Sequence, residues 1–104
     1  MIIDHRTYEL QPRRVRDFLA LYEKEGLPVQ MKHLGHLVGY STTEEGNVNE
    51  IVHIWAHQDL ADRTKRRAAM ATDAAWQSYL QKSREFLKTM NNKILVPTSF
   101  SPTK

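Results

Sequence analysis

Apolar positions recur along this chain with two different periods, and each change of period marks an element. From Ile2 to Leu10, β-branched and aromatic side chains (Ile2, Ile3, Thr7, Tyr8) predict a strand in which Asp4, Arg6 and Tyr8 share one face. Val15, Phe18, Leu19 and Tyr22 then follow at i, i+3, i+4 and i+7, the stripe of a helix packed on a core. Pro12 is placed to open that helix and Gly26, followed by Pro28, to end it, which leaves 27–33 as a connector. Period two returns in Leu34–Thr43 and Val48–His57, two strands joined by the turn signal Glu45-Gly46-Asn47. In the later strand Val52, Ile54 and Ala56 face one way, and Ile51, His53, Trp55 and His57 the other. From Asp59, a good N-cap, the helical period resumes to about Ala71, and Thr72-Asp73 marks a break with a fresh cap. Trp76, Leu80, Ser83, Leu87 and Met90 carry a helical stripe onward to about Met90. Asn91-Asn92 closes it, and Ile94-Leu95-Val96 forms a last strand ended by Pro97.

The predicted order β-α-β-β-α-β is that of an α+β, ferredoxin-like domain with a four-stranded antiparallel sheet. Right-handed crossovers put the first and third strands at its centre. With 104 residues there is room for one domain, 1–104, and one core. Two helices cover one face of the sheet. The other carries large side chains, and a second copy packing face to face is the economical way to bury them.

Composition narrows the function classes. Zero cysteines exclude disulfides, thiolate catalysis and cysteine zinc sites. No apolar run approaches the roughly 18 residues of a membrane span. The start, Met1-Ile2-Ile3-Asp4-His5-Arg6, lacks the order of a signal peptide, so the expected location is cytoplasmic. The net charge of +3 reflects 15 basic against 12 acidic residues and comes with no groove-reading or base-stacking motif. It predicts a solvated basic surface rather than a nucleic-acid partner.

Two constellations carry candidate chemistry. His5, His33, His36, His53 and His57 suggest a metal, but His53 and His57 lie about 13 Å apart along one strand face. If the Gly46-Asn47 turn sets the register, His36 falls opposite His57 and Tyr40 opposite His53, with no carboxylate at hand. Neither a metal nor any other cofactor is expected. The second constellation is Arg6, Tyr8, Tyr40, His53 and Trp55: strand parity puts Tyr40, His53 and Trp55 on one face, Arg6 and Tyr8 lie on the neighbouring central strand, and together they are predicted to line a ligand pocket. There His53 is the candidate general base, Arg6 the group to hold a carboxylate or enolate, and Tyr8 the proton donor. The alternative is a packed core in which these side chains satisfy one another. Arg63, Lys65, Arg66 and Arg67 cluster on the second helical region, where pairs such as Asp62 with Arg66 at i, i+4 account for them as a solvated face.

The chain also resembles the NIPSNAP family. The residues that carry the resemblance are Arg6-Thr7-Tyr8, Gly35-His36-Leu37-Val38-Gly39-Tyr40, Thr43-Glu44 with Gly46 and Asn49, and His53-Ile54-Trp55. Leu60-Ala61-Asp62-Arg63, Arg66-Arg67-Ala68-Ala69, Trp76 and Phe100-Ser101-Pro102 complete it, from about Ile3 to Pro102. Three departures stand out: Pro12-Arg13 where the family often has Pro-Gly, Ala74 where it often has proline, and His5 where an aliphatic residue is usual. The resemblance implies a dimeric α+β barrel, a fold shared with small cofactor-free oxygenases, isomerases and haem enzymes, and it brings no agreed reaction. The expectation is therefore a homodimer that encloses a small organic ligand and acts on it, if at all, by cofactor-free proton transfer or oxygenation. The alternative is a non-catalytic scaffold or protein-interaction module.

Overall fold

The computed structural model describes residues 1–103. Strand β1 (Ile2–Leu10) lies between β3 (Glu50–His57) and β4 (Leu87–Leu95), and β2 (Leu37–Thr42) pairs with the far side of β3. All three pairings are antiparallel, in the order β2-β3-β1-β4. Helices α1 (Val15–Leu21), α2 (Leu27–His33), α3 (Leu60–Ala71) and α4 (Ala74–Ser83) lie over one face. This is the ferredoxin-like arrangement that the periodicity predicts. Leu10 and Ile51 from the sheet pack with Phe18, Tyr22, Tyr79 and Phe86 in one core cluster. Trp55 packs with Val29, Leu34 and Met70 in a second, and Trp76 touches both. Each such side chain contributes roughly 1.5–3 kcal/mol on leaving water.

The connections differ from expectation in four places, each for a physical reason. Pro12 does not open the helix. It occupies the second position of a turn closed by Arg14 N–H donating to the Gln11 carbonyl at 3.1 Å, and Arg13, at the third position, takes a positive φ of 68°. A turn with that φ favours glycine at its third position. Arg14 then lies over the Phe86 ring at 4.3 Å and pairs with Asp17 and Glu85, which compensates its unfavourable place at a helix start.

Gly26 does not end the helix either. A π-helical turn, Tyr22–Gly26, runs on into α2 across the expected connector. The buried positions Phe18, Tyr22, Gly26, Gln30 and Leu34 are spaced by four. In an α-helix that spacing drifts by about 40° per turn, and the wider π turn takes up the drift. Gly26 is needed for room, since a Cβ there would stand 2.8 Å from atoms of the Tyr22 and Tyr79 rings.

At the hairpin, Tyr40 pairs with His53 as the turn predicts. A bulge between Leu37 and Gly39 shifts the register beyond it, so His36 lies beside Ala56, whose N–H donates to its carbonyl at 3.0 Å, and not opposite His57. The strands are also shorter than predicted: Leu34 stays with the helix through its N–H to Gln30, and β3 begins only at Glu50.

The last helix ends at Ser83, seven residues before the predicted end, and β4 starts at Leu87 after a 3₁₀ turn at Arg84–Phe86. Leu87 and Met90 continue the helical stripe only by coincidence of spacing. Pairing with β1, Tyr8 to Met90 and Arg6 to Asn92, overrides the weak strand preference of Asn91 and Asn92.

Arg13→Gly should raise stability by roughly 0.5–1 kcal/mol. A left-handed non-glycine residue costs about 1–2 kcal/mol, and glycine's extra chain entropy returns part of the gain. Gly26→Ala should lower stability by about 1–3 kcal/mol through overpacking. Urea unfolding of both variants against the parent checks the pair, and an unstable Arg13→Gly would remove the strain account.

Candidate functional site

Alternation along β1 puts Asp4, Arg6 and Tyr8 under the helices, and the register sets Arg6 beside His53 and Asp4 beside Trp55. Tyr40 comes beside His53 from the other side. The five side chains of the predicted pocket therefore share the helix-covered face of the sheet.

His53 is the centre of this group and is 1% exposed. The indole N–H of Trp55 donates to His53 Nδ1 at 2.8 Å. An indole only donates, so Nδ1 accepts and the neutral ring carries its proton on Nε2. That Nε2 is buried without a partner among the described residues, and so is the Tyr40 hydroxyl. The Tyr40 ring stacks on the imidazole at 4.7 Å and 26°, and Tyr8 meets it edge-on at 4.7 Å. Burial, aided by the Arg6 charge, pushes the His53 pKa down to about 3. At that value the imidazole is neutral at pH 7 and offers its Nε2–H as a hydrogen-bond donor. Burial also raises the phenols of Tyr22, Tyr40 and Tyr79 well above their ordinary range, so all three keep their protons.

These groups bound a cavity of about 40 Å³ between sheet and helices. Tyr8, Tyr40 and His53 line it from the sheet, and Tyr22, Trp76 and Tyr79 from the helices. Leu80 and Met90, both exposed, sit at its edge. It has room for two or three waters at about 15 Å³ each. Trp55 stands behind His53 in the second core cluster and does not line the cavity.

Arg6 also turns away from it. Its Nη1 donates to Asp4 Oδ2 at 3.2 Å, and its Nε donates to the Tyr8 hydroxyl oxygen at 3.2 Å. Asp4, 1% exposed, accepts in addition from Arg63 Nε at 2.9 Å and from Asn92 Nδ2 at 3.1 Å. Burial alone would raise this carboxyl, but the Asn92 and Arg63 hydrogen bonds and the two guanidinium charges outweigh it and hold the pKa below the usual range. Arg63 thus leaves the basic helix cluster for the interior, whereas Arg66 makes the expected i, i+4 pair with Asp62 at 2.9 Å.

The sequence pattern did not single out Asp4, Arg63 or the helix-side tyrosines as site residues. Asp4 had a signal, its shared parity with Arg6 and Tyr8. Tyr22, Trp76 and Tyr79 had none, because a cavity wall and a core stripe have the same spacing. Of the other histidines, His33 pairs with Asp73 at 2.8 Å, and His57 lines an open cleft of about 340 Å³ with Gly35, His36, Asp62 and Arg66. No three metal-ligating side chains converge among the described residues.

Residues 3–102 match the family model for NIPSNAP. The chain belongs to the NIPSNAP family. A NIPSNAP protein of unknown function from Agrobacterium tumefaciens is 45% identical, with a TM-score of 0.95 over 98% of this chain and 92% of that one. An uncharacterised NIPSNAP-like protein from Burkholderia xenovorans is 43% identical, with a TM-score of 0.92 over 97% and 88%. Human NipSnap homolog 3A is 37% identical over 71% of this chain, and this NIPSNAP chain spans only about 30% of that relative's length. An antibiotic biosynthesis monooxygenase shares the fold alone, at 10% identity and a TM-score of 0.66 over 94% and 99%. No helix among the described residues is long and apolar enough to cross a membrane.

Stability should depend on pH through His53. Its pKa in the fold lies below the ordinary 6.5, so the unfolded chain binds a proton that the fold excludes. That contribution is complete above pH 6.5 and is lost as pH falls toward about 3. His57, lowered mainly by burial, acts with the same sign. Urea midpoints measured from pH 7.5 down to 4.5 should decline below pH 6.5, and His53→Gln should flatten the decline. An unchanged slope in that variant would mean that His53 takes up its proton freely in the fold.

Proposed function

We propose that this chain is a non-covalent binder of a small, oxygen-bearing organic molecule, held in the cavity between the helices and the sheet, and that it works as a homodimer. The observation that carries the reading is the pair of buried polar groups, His53 Nε2–H and the Tyr40 hydroxyl, left without partners at the wall of one aromatic cavity. An unsatisfied buried polar group costs about 1–3 kcal/mol, and a fold that retains two together gains that back when a ligand supplies oxygen atoms to them. The cavity admits a compact ligand only by yielding at Leu80 and Met90, which are exposed, and methionine is an adaptable side chain.

Binding is favoured over base catalysis, since an imidazole with a pKa of about 3 is a poor proton acceptor at neutral pH. The scaffold reading gives the two orphaned groups no task. For the dimer, the support is the sheet face away from the helices, where Val52 and Ile54 on β3 are only partly buried. Val96 and Phe100, 76% and 86% exposed at the end of the chain, add apolar surface that a second copy can cover.

Tyr40→Phe separates the readings. Removing a partnerless hydroxyl should leave the melting temperature unchanged or raise it, yet weaken a cavity ligand found in a thermal-shift screen of small carbonyl compounds by about tenfold, equivalent to about 1.4 kcal/mol. A fall of several degrees would assign the hydroxyl a structural partner and count against the binding site. Light scattering at micromolar concentration should give about twice the 12.1 kDa chain mass, and a stable monomer would remove the homodimer.

A further inference from the structure

A hydrogen bond behind the cavity wall decides what the cavity can hold. Trp55 and His53 lie two residues apart on the helix-covered face of β3, and their rings meet at 86° with centroids 6.4 Å apart. Trp55 is 1% exposed and packs against Val29, Leu34 and Met70, so its surroundings fix the direction of the indole N–H. That N–H reaches His53 Nδ1 at 2.8 Å. An imidazole whose Nδ1 faces a group that can only donate keeps one neutral form, with the hydrogen on Nε2. The ring is also held in place, stacked on Tyr40 and met edge-on by Tyr8, each at 4.7 Å. Turning it over would leave the buried indole without an acceptor.

The neighbouring hydroxyls do not reverse this polarity. Tyr22 gives its hydrogen to Gln30 Oε1, and the Tyr8 oxygen already takes Arg6 Nε. The Tyr40 hydroxyl, which has no partner among the described residues, can turn either way. A ligand oxygen that faces His53 therefore meets a hydrogen and must present a lone pair. A carbonyl oxygen does so and carries no hydrogen of its own, so it can take the Nε2–H and the Tyr40 O–H together. An alcohol brings one more hydrogen into a space already rich in them, and an amine brings two. Each surplus hydrogen is a buried donor without an acceptor, and such mismatches discriminate between ligands more sharply than shape does.

We infer that the cavity selects carbonyl compounds over alcohols and amines of the same shape, and that Trp55 sets this choice by holding the His53 hydrogen on Nε2. This rests on the cavity reading above and narrows its oxygen-bearing ligand to one chemical class. Trp55 is a positioning residue, because it stands behind His53 and acts only through the tautomer of the imidazole. Without the indole N–H, Nε2 could accept as readily as it donates, and the hydrogen of an alcohol would find a lone pair.

The test compares acetone with 2-propanol, which match in heavy atoms and shape, by amide-resolved NMR titration of the full chain. Acetone should shift the resonances of His53 and Tyr40 and bind about tenfold more tightly than 2-propanol. Long-range proton–nitrogen spectra of the free chain should show His53 protonated on Nε2 alone. Trp55→Phe keeps an aromatic ring in the core and removes the donor. In that variant His53 should populate both tautomers, and the preference for acetone should largely disappear. Equal binding of the two compounds by the parent would overturn the selectivity and leave the cavity reading standing. No shift at His53 or Tyr40 with either compound would remove both. A parent His53 protonated on Nδ1 would overturn the assignment with no variant at all, so the idea stays testable if Trp55→Phe fails to fold. An unchanged preference in Trp55→Phe alongside mixed tautomers would take the choice away from Trp55.

Discussion

The buried carboxylate of Asp4 is the constraint around which the rest of the molecule is arranged. It lies on the central strand, and its partners come from three elements: Arg6 on β1 itself, Asn92 on the edge strand β4, and Arg63 on α3. An unpaired charge in this place would cost several kcal/mol, so the edge strand and the helix must both be in position before the carboxylate is tolerable. The effect is specificity rather than raw stability. β4 buries little of its own apolar surface, and the Asn92 contact ties its register to the chemistry of the centre. The same carboxylate dictates where Arg6 points, and thereby which way the Tyr8 hydroxyl is held.

What was legible in the sequence followed from parity. Alternation put Arg6 with Tyr8 on one strand face and Tyr40, His53 and Trp55 on another, the Gly46-Asn47 turn set Tyr40 against His53, and the β1–β3 register joins the two sets. Asp4 obeyed the same rule and was still missed as a partner, because its role depends on Arg63 and Asn92, far away in the chain. The helical half was harder to read. Gly26 has the sequence appearance of a terminator, but its lack of a side chain serves the Tyr79 ring, a contact that no local pattern announces. Leu87 and Met90 show the opposite failure: a period that suits a helix was taken up by a strand, because β1 offered an unpaired edge.

Within the site, the hydrogen-bond order is directional. Trp55 gives its proton to His53, which fixes the imidazole as a donor toward the cavity, and Arg6 gives to Tyr8, which frees that hydroxyl to donate as well. Two residues that do not line the cavity thus determine the polarity of the two that do. The NIPSNAP family contributes the frame for this arrangement, and its solved members share the frame closely. The polarity, however, comes from particular side chains and is open to change by single substitutions without disturbing the sheet.

The π turn at Tyr22–Gly26 limits this chain in another way. It holds one residue more than an α-helical turn would, and that extra residue keeps Phe18 and Tyr22 in phase with Gln30 and Leu34. Deleting one residue between Arg14 and Gly35 would relax the turn into regular helix and rotate everything on one side of it by about 100°. Gln30 would lose Tyr22, and Leu34 would leave the core beneath Trp55. The segment can therefore drift in composition on its solvent side yet stay fixed in length. In lineages that carry this turn, insertions and deletions should collect in the 43–49 loop and at the chain ends, leaving the long helical arm as an unbroken ruler.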